Sequence, residues 1–207
     1  MAGDVAAAGD AARAVLDEKH QARELTLRSS RRAIRSCSNA IRAVHRGEFD
    51  DARTLIAEAG AFLAEIDAAL GAQHDIRYAG FHTDAQKEFA EANLTLALVT
   101  GEPLLDAEAL NVEVAPYLNG MAEAASELRR QALDCLRRGD VERAESLLGS
   151  MDEVYSMLVT IDYPDAITGG LRRSTDALRA VLERTRGDVT TAIVAARLQT
   201  AVERGTS

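Results

Sequence analysis

Ala79-Gly80-Phe81-His82-Thr83-Asp84-Ala85-Gln86-Lys87-Glu88-Phe89-Ala90-Glu91-Ala92 places aromatic rings and acidic side chains on one predicted helix. On a period of about 3.6 residues, Asp84, Glu88, Glu91 and Thr95 fall within about 60° of one another. Phe81, Ala85, Phe89, Ala92 and Leu96 form the adjacent stripe. Glu88 and Glu91 therefore stand at the margin of the apolar face, where side chains become buried. Two carboxylates one turn apart in such a place repel each other and need protons, an arginine or a cation.

Outward from this stretch the same helical period continues almost everywhere. The chain has 207 residues, 47% of them hydrophobic, with 3 Pro, no Trp and 4% aromatics. Ala and Leu dominate and β-branched runs are scarce, which favours helix. The expectation is an all-α fold, a single-domain antiparallel bundle of about seven helices with a long N-terminal helix. Residues 1–10 read as a flexible N-terminus and 11–204 as the helical domain.

The predicted helices run from Ala11 to Arg46, from Glu48 to Leu70, from Asp75 to Val99 and from Pro116 to Arg138. A fifth runs from Asp140 to Leu158. A sixth starts at Asp162-Tyr163-Pro164-Asp165, is interrupted at Gly169-Gly170, and continues to Arg186. A last one starts at Gly187-Asp188 and ends near Glu203. Glycines and a first-turn proline supply the boundaries. Leu104 to Leu110 is a short apolar-acidic piece within the longest connection. Two hairpins echo each other, around Arg46-Gly47-Glu48 and Arg138-Gly139-Asp140, and connections this short imply antiparallel neighbours.

The net charge of −9 argues against a protein that coats nucleic acid generally, though not against a local basic track. Lysine occurs only at Lys19 and Lys87; the other basic side chains are arginines. An acidic, lysine-poor, alanine-rich chain fits a halophilic, high-salt cytoplasm and a GC-rich genome equally well. Cys37 and Cys135 lie among apolar helical positions and read as buried free thiols. No apolar run reaches the roughly 18 residues of a membrane span, and no signal pattern opens the chain, so a soluble cytoplasmic protein is expected.

Two features carry chemistry. On the first helix Arg28, Arg31, Arg35, Arg42 and Arg46 align over about 27 Å, with Glu24 upstream as the acidic neighbour. The row is either a solvated face or a phosphate-binding track, for which arginine forks are well suited. The second feature is a pair of acid pairs. Glu88 and Glu91 are one; Glu123 and Glu127, one turn apart in Asn119-Gly120-Met121-Ala122-Glu123-Ala124-Ala125-Ser126-Glu127, are the other. If their helices pack together, four carboxylates converge into a hard-oxygen site for Mg²⁺ or Mn²⁺. The alternative is surface acid, with Arg130 as the partner of Glu127. No Glu-x-x-His occurs, which disfavours di-iron chemistry. His20, His45, His74 and His82 are scattered, and zinc is poorly supported.

Asp84-Ala85-Gln86-Lys87-Glu88-Phe89-Ala90-Glu91-Ala92 resembles the Gln-Glu-Tyr-Val-Glu-Ala segment of translin-associated factor X. Tyr117-Leu118-Asn119-Gly120-Met121-Ala122-Glu123-Ala124-Ala125-Ser126-Glu127-Leu128 resembles that family's Tyr-Leu-Leu-Gly-Val-Ala-Asp-Leu-Thr-Gly-Glu-Leu segment. Ser30-Arg31-Arg32-Ala33-Ile34-Arg35 and Tyr163-Pro164-Asp165-Ala166 also look like archaeal translin-family proteins. The resemblance covers most of the chain. It implies an all-α fold, a hollow ring or barrel of identical subunits, and binding of single-stranded RNA and possibly DNA. In the factor X branch it implies a metal-dependent endoribonuclease. Glu88 and Glu91 fall on two catalytic acids, Glu123 where the family has an aspartate, and Glu127 on a further acid. These are the expected ligands of Mg²⁺ or Mn²⁺. Arg28, Arg31, Arg35, Arg42 and Arg46 are then candidate phosphate contacts, and Arg77, Tyr78 and His82 candidate sugar or base contacts. A non-catalytic nucleic-acid-binding member and a helical-hairpin protein scaffold are the alternatives.

Overall fold

The computed structural model describes residues 2–71 and 80–205. Arg77, Tyr78 and the expected helix start at Asp75 lie outside the described residues. Among the described residues seven helices follow one another: α1 (Ala2–Arg46), α2 (Phe49–Leu70), α3 (Gly80–Thr100), α4 (Val114–Arg137), α5 (Val141–Leu158), α6 (Asp165–Thr168) and α7 (Leu171–Gly205). No strand occurs among the described residues.

The turns form where the sequence provides for them. Gly47 and Gly139 adopt φ of +78° and +80°, a left-handed conformation that glycine enters without a Cβ penalty. Around Gly47, the Glu48 amide donates to the Ala43 carbonyl and the Gly47 amide to that of Val44, each at 3.0 Å. The same pair of bonds recurs around Gly139, from Asp140 to Cys135 and from Gly139 to Leu136. This is the glycine cap that satisfies the last carbonyls of a helix, and it explains the echo between the two hairpins. The Asp140 side chain then caps α5 by accepting from the Arg143 amide at 3.0 Å. Between α3 and α4, Leu110 and Val112 donate back to Asp106 and Ala107, so the apolar-acidic piece forms a hydrogen-bonded turn.

Two boundaries differ from the sequence reading. α1 begins at Ala2, ahead of the expected start at Ala11, and its residues 5–18 are exposed apart from Gly9. The expected break at Gly187 is absent; α7 is continuous through it. A helix-interior glycine costs only about 1 kcal/mol. Here Arg129 on α4 bridges it, donating to Thr185 Oγ1 at 3.1 Å and pairing with Asp188 at 2.9 Å. Fully buried Thr185 and nearly buried Val189 anchor the two sides. The interruption at Gly169-Gly170 is present, and Gly169 is left-handed.

α3 and α4 form the middle of the bundle. α3 packs on α1, α2 and α4, while α4 also meets α5 and α7. Their buried side chains, Leu94 on α3 and Leu128 on α4, join Val44, Ile66, Leu147, Met151 and Leu182 in one core. Cys37 and Cys135 are buried free thiols. No helix among the described residues is long and apolar enough to cross a membrane.

Candidate functional site

The approach of α3 to α4 is set by a glycine. A Cβ on Gly120 would stand 2.6 Å from the Lys87 carbonyl oxygen and 3.0 Å from both the Ala90 Cβ and the Glu91 amide nitrogen. Only an unsubstituted α-carbon lets the two backbones come this close. One turn on from Gly120, Glu123 of α4 meets Glu88 and Glu91 of α3. Glu88, Glu91 and Glu123 each present an oxygen within 4.8 Å of the other two. Three of the four acids singled out in the sequence are thus brought together.

The fourth, Glu127, stands beside this group rather than in it. Its Oε2 lies 2.7 Å from His45 Nε2. His45 comes from the end of α1 and its side chain is only 3% exposed. Its Nδ1 is buried without a hydrogen-bond partner among the described residues, so Nε2 carries the proton if the ring is neutral and donates it to Glu127. No ion pair joins Glu127 to Arg130 among the described residues; a histidine from another helix takes the role expected of that arginine. Lys87 is the second addition. Its Nζ donates to Glu123 Oε1 at 2.8 Å and lies 3.7 Å from Glu88 Oε1. His45 was one of several scattered histidines in the sequence, and its spacing to the acids carries no local signal. Lys87 was in plain view, but its side-chain direction was not.

The electrostatics follow from crowding and burial. Burial first, then the Glu88, Glu123 and Glu127 charges, push the Glu91 carboxyl up to about 8. Glu91 is the most enclosed of the set, with 8% exposure. Burial also raises the Glu88 carboxyl, against the pull of Lys87. For Lys87, burial disfavours the ammonium, but the Glu123 hydrogen bond and the surrounding carboxylates outweigh it and hold its pKa above the usual value. Beneath the acids, burial and the Glu88 and Glu91 charges push the Cys37 thiol up to about 12. Without an added cation the thiol stays protonated, and the available donors are carboxylate oxygens. That donor set fits Mg²⁺ or Mn²⁺, whose preferred ligands are hard oxygens.

The arginine row of α1 is exposed, but its members differ. Arg46 forms a two-pronged hydrogen bond to Glu48, and Arg42 reaches Asn39. Arg28, Arg31 and Arg35 line an open groove with Arg32, Phe62 and Glu58. The Arg32 guanidinium lies 4.1 Å from the Phe62 ring centroid, and Ser36 holds Glu58. Glu24, read from sequence as the neutralising acid of this row, pairs with Arg23. His82 corrects an expectation. It is 1% exposed, packed into the bundle, and offers no ring face to a strand in solvent.

The all-α bundle with a long first helix defines a fold class, and solved proteins share that fold. The chain is 32% identical to AfC3PO in its complex with duplex RNA, with a TM-score of 0.82, over 90% of this chain and 96% of that one. AfC3PO alone gives the same identity and TM-score, with 97% of it covered. Apo-NeC3PO shares the fold at 18% identity, with a TM-score of 0.79 over 88% of this chain. An uncharacterized protein of Methanocaldococcus jannaschii is 28% identical over 195 residues, 91% of this chain and 84% of the relative. No family model matches the sequence. The chain belongs to the translin family, with C3PO components as its solved relatives.

Proposed function

We propose that this protein binds RNA and cuts its phosphodiester backbone with the help of Mg²⁺ or Mn²⁺ held by Glu88, Glu91 and Glu123. The observation that carries the reading is the convergence of these carboxylates between α3 and α4. A bound divalent cation would stabilise negative charge on the phosphate and lower the pKa of an attacking water. The chain's own groups do the rest. Glu91, protonated near neutral pH in the cation-free protein, releases that proton when positive charge enters. Glu127 is half-exposed and anchored on one oxygen by His45. It is the acid placed to accept a proton from water as a general base. Arg28, Arg31 and Arg35, which have no ion pair among the described residues, are the phosphate contacts. Arg42 and Arg46 are secondary because Asn39 and Glu48 engage them.

The AfC3PO complex with duplex RNA supports RNA as the ligand and places duplex RNA beside single-stranded RNA and DNA as a substrate to test. Self-association into a closed ring or barrel belongs to the same reading. Exposed Val159, Tyr163 and Ile167 at the α5–α6 corner, and Val194, Leu198 and Val202 along the end of α7, provide apolar surface for it.

The test incubates labelled single-stranded RNA, single-stranded DNA and duplex RNA with the pure protein, with Mg²⁺ or with EDTA. It is repeated with the variant Glu88→Gln plus Glu91→Gln. Metal-dependent cleavage that disappears in the variant is expected. Cleavage that persists in the variant refutes the site. Binding without cleavage selects a non-catalytic RNA-binding protein, and absence of binding at low salt selects a protein-interaction scaffold.

A further inference from the structure

The acidic cluster already contains a cation of the chain's own. Lys87 Nζ is 2.8 Å from Glu123 Oε1 and 3.7 Å from Glu88 Oε1. It thereby joins an acid of α4 to an acid of α3. A lysine suits this position physically. Its ammonium is a compact point charge on a flexible stem, with rotatable donors able to serve two carboxylates at once. It is one of two lysines in a chain whose other basic side chains are arginines. A divalent ion on the same oxygens would meet the ammonium at contact range, and like charges at that distance exclude each other.

The side chain also has somewhere to go. It is 26% exposed and borders an open cleft of about 400 Å³. The cleft wall includes Thr83, Asp84 and Asn119. Asp84 lies one turn before Lys87 on the same helix face, within reach of its stem.

We propose that Lys87 is a displaceable internal cation of the site: it bridges Glu123 and Glu88 when no divalent ion is bound and swings toward Asp84 when one enters. The inference rests on the metal reading above and deepens it. Binding of the divalent ion is then a competition, in which Lys87 both lowers affinity for the ion and holds α3 to α4 in its absence.

The experiment uses the full chain and Mn²⁺ as the probe. Reductive methylation followed by mass spectrometry reads the reactivity of Lys87, with Lys19 as internal reference. Adding Mn²⁺ to the unaltered protein is expected to raise Lys87 labelling several-fold while Lys19 is unchanged. In calorimetry, Lys87→Gln is expected to bind Mn²⁺ about tenfold more tightly, because a positive charge has left the site. In EDTA the same variant should melt earlier than the parent, with the difference removed by Mn²⁺. Unchanged Lys87 labelling on Mn²⁺ addition overturns the inference without requiring any substitution. Mn²⁺ binding that Glu88→Gln abolishes but Lys87→Gln leaves unchanged overturns the role of Lys87 and spares the metal site. Absence of Mn²⁺ binding by parent and variant alike overturns both.

Discussion

Replacing Gly120 by alanine adds one methyl group at the tightest point of the bundle. That methyl would lie 2.6 Å from the Lys87 carbonyl oxygen, against an ordinary contact of 3.4 Å or more, so the backbones must part by about 0.8 Å. None of the atoms met is the end of a flexible side chain; they are backbone O and N and the Cβ of Ala90. Overpacking of this kind costs about 1–3 kcal/mol. Alanine gives back up to about 1 kcal/mol through its higher helix propensity. The net loss expected is about 1–2 kcal/mol, or a fall in Tm of about 2–8 °C for a chain of this size. Gly187 is the matched control: it is also inside a helix, and a Cβ there meets nothing within 4 Å. Gly187→Ala should therefore raise the melting temperature by about 2 °C. Thermal melts by circular dichroism, in EDTA, compare the two. The parting of α3 from α4 also separates Glu88 and Glu91 from Glu123, so Gly120→Ala should weaken Mn²⁺ binding while Gly187→Ala leaves it intact. If Gly120→Ala is as stable as Gly187→Ala and binds Mn²⁺ like the parent, close backbone contact does not hold the acids together.

The Glu91 carboxyl, pushed up to about 8 from 4.5, gives a pH signature. Between these values the folded state holds a proton that the unfolded chain releases. This group's contribution is therefore complete below about pH 4.5, declines as pH rises and is lost above about 8, at no more than about 1.4 kcal/mol per pH unit. Urea midpoints in EDTA should show a steeper decline between pH 6 and 8 in the parent than in Glu91→Gln. Changing Arg28, Arg31 and Arg35 together to Gln should weaken RNA binding for all sequences and reduce the salt slope by about 2–3. Arg46→Gln should do little in the same anisotropy titration, because Glu48 already occupies that guanidinium. Asn119 donates to the Ala115 and Thr168 carbonyls at 2.8 Å and accepts from Ser174 at 2.7 Å, joining α4 to α6 and α7. Asn119→Ala leaves buried partners unsatisfied and should cost about 1–3 kcal/mol in chemical denaturation.

The helices and their order were legible because helical information is local. An apolar side chain at every third or fourth position, a glycine where the chain must go left-handed and an acid at the next first turn lie within a few residues of one another. Gly47 and Gly139 show this in full. Gly187 shows its limit, since the contact that keeps α7 straight there comes from Arg129 on another helix. For the site, the pairs Glu88/Glu91 and Glu123/Glu127 each follow from helical spacing. His82 precedes the first pair on the same helix, yet its burial follows from packing that no helical wheel displays.

By itself the sequence determined that this chain is predominantly helical, where most of its described turns fall, and which acids share a face. These are decided by steric and hydrogen-bonding preferences within one or two turns of chain. Tertiary structure alone decided that Glu123, and not Glu127, completes the cluster with Glu88 and Glu91. It also placed Lys87 between Glu88 and Glu123, and His45 against Glu127, 82 residues away in sequence. The physical reason is the close approach of α3 and α4 at Gly120. That distance is set by contacts between residues about thirty positions apart in sequence, and no interaction between near neighbours encodes it.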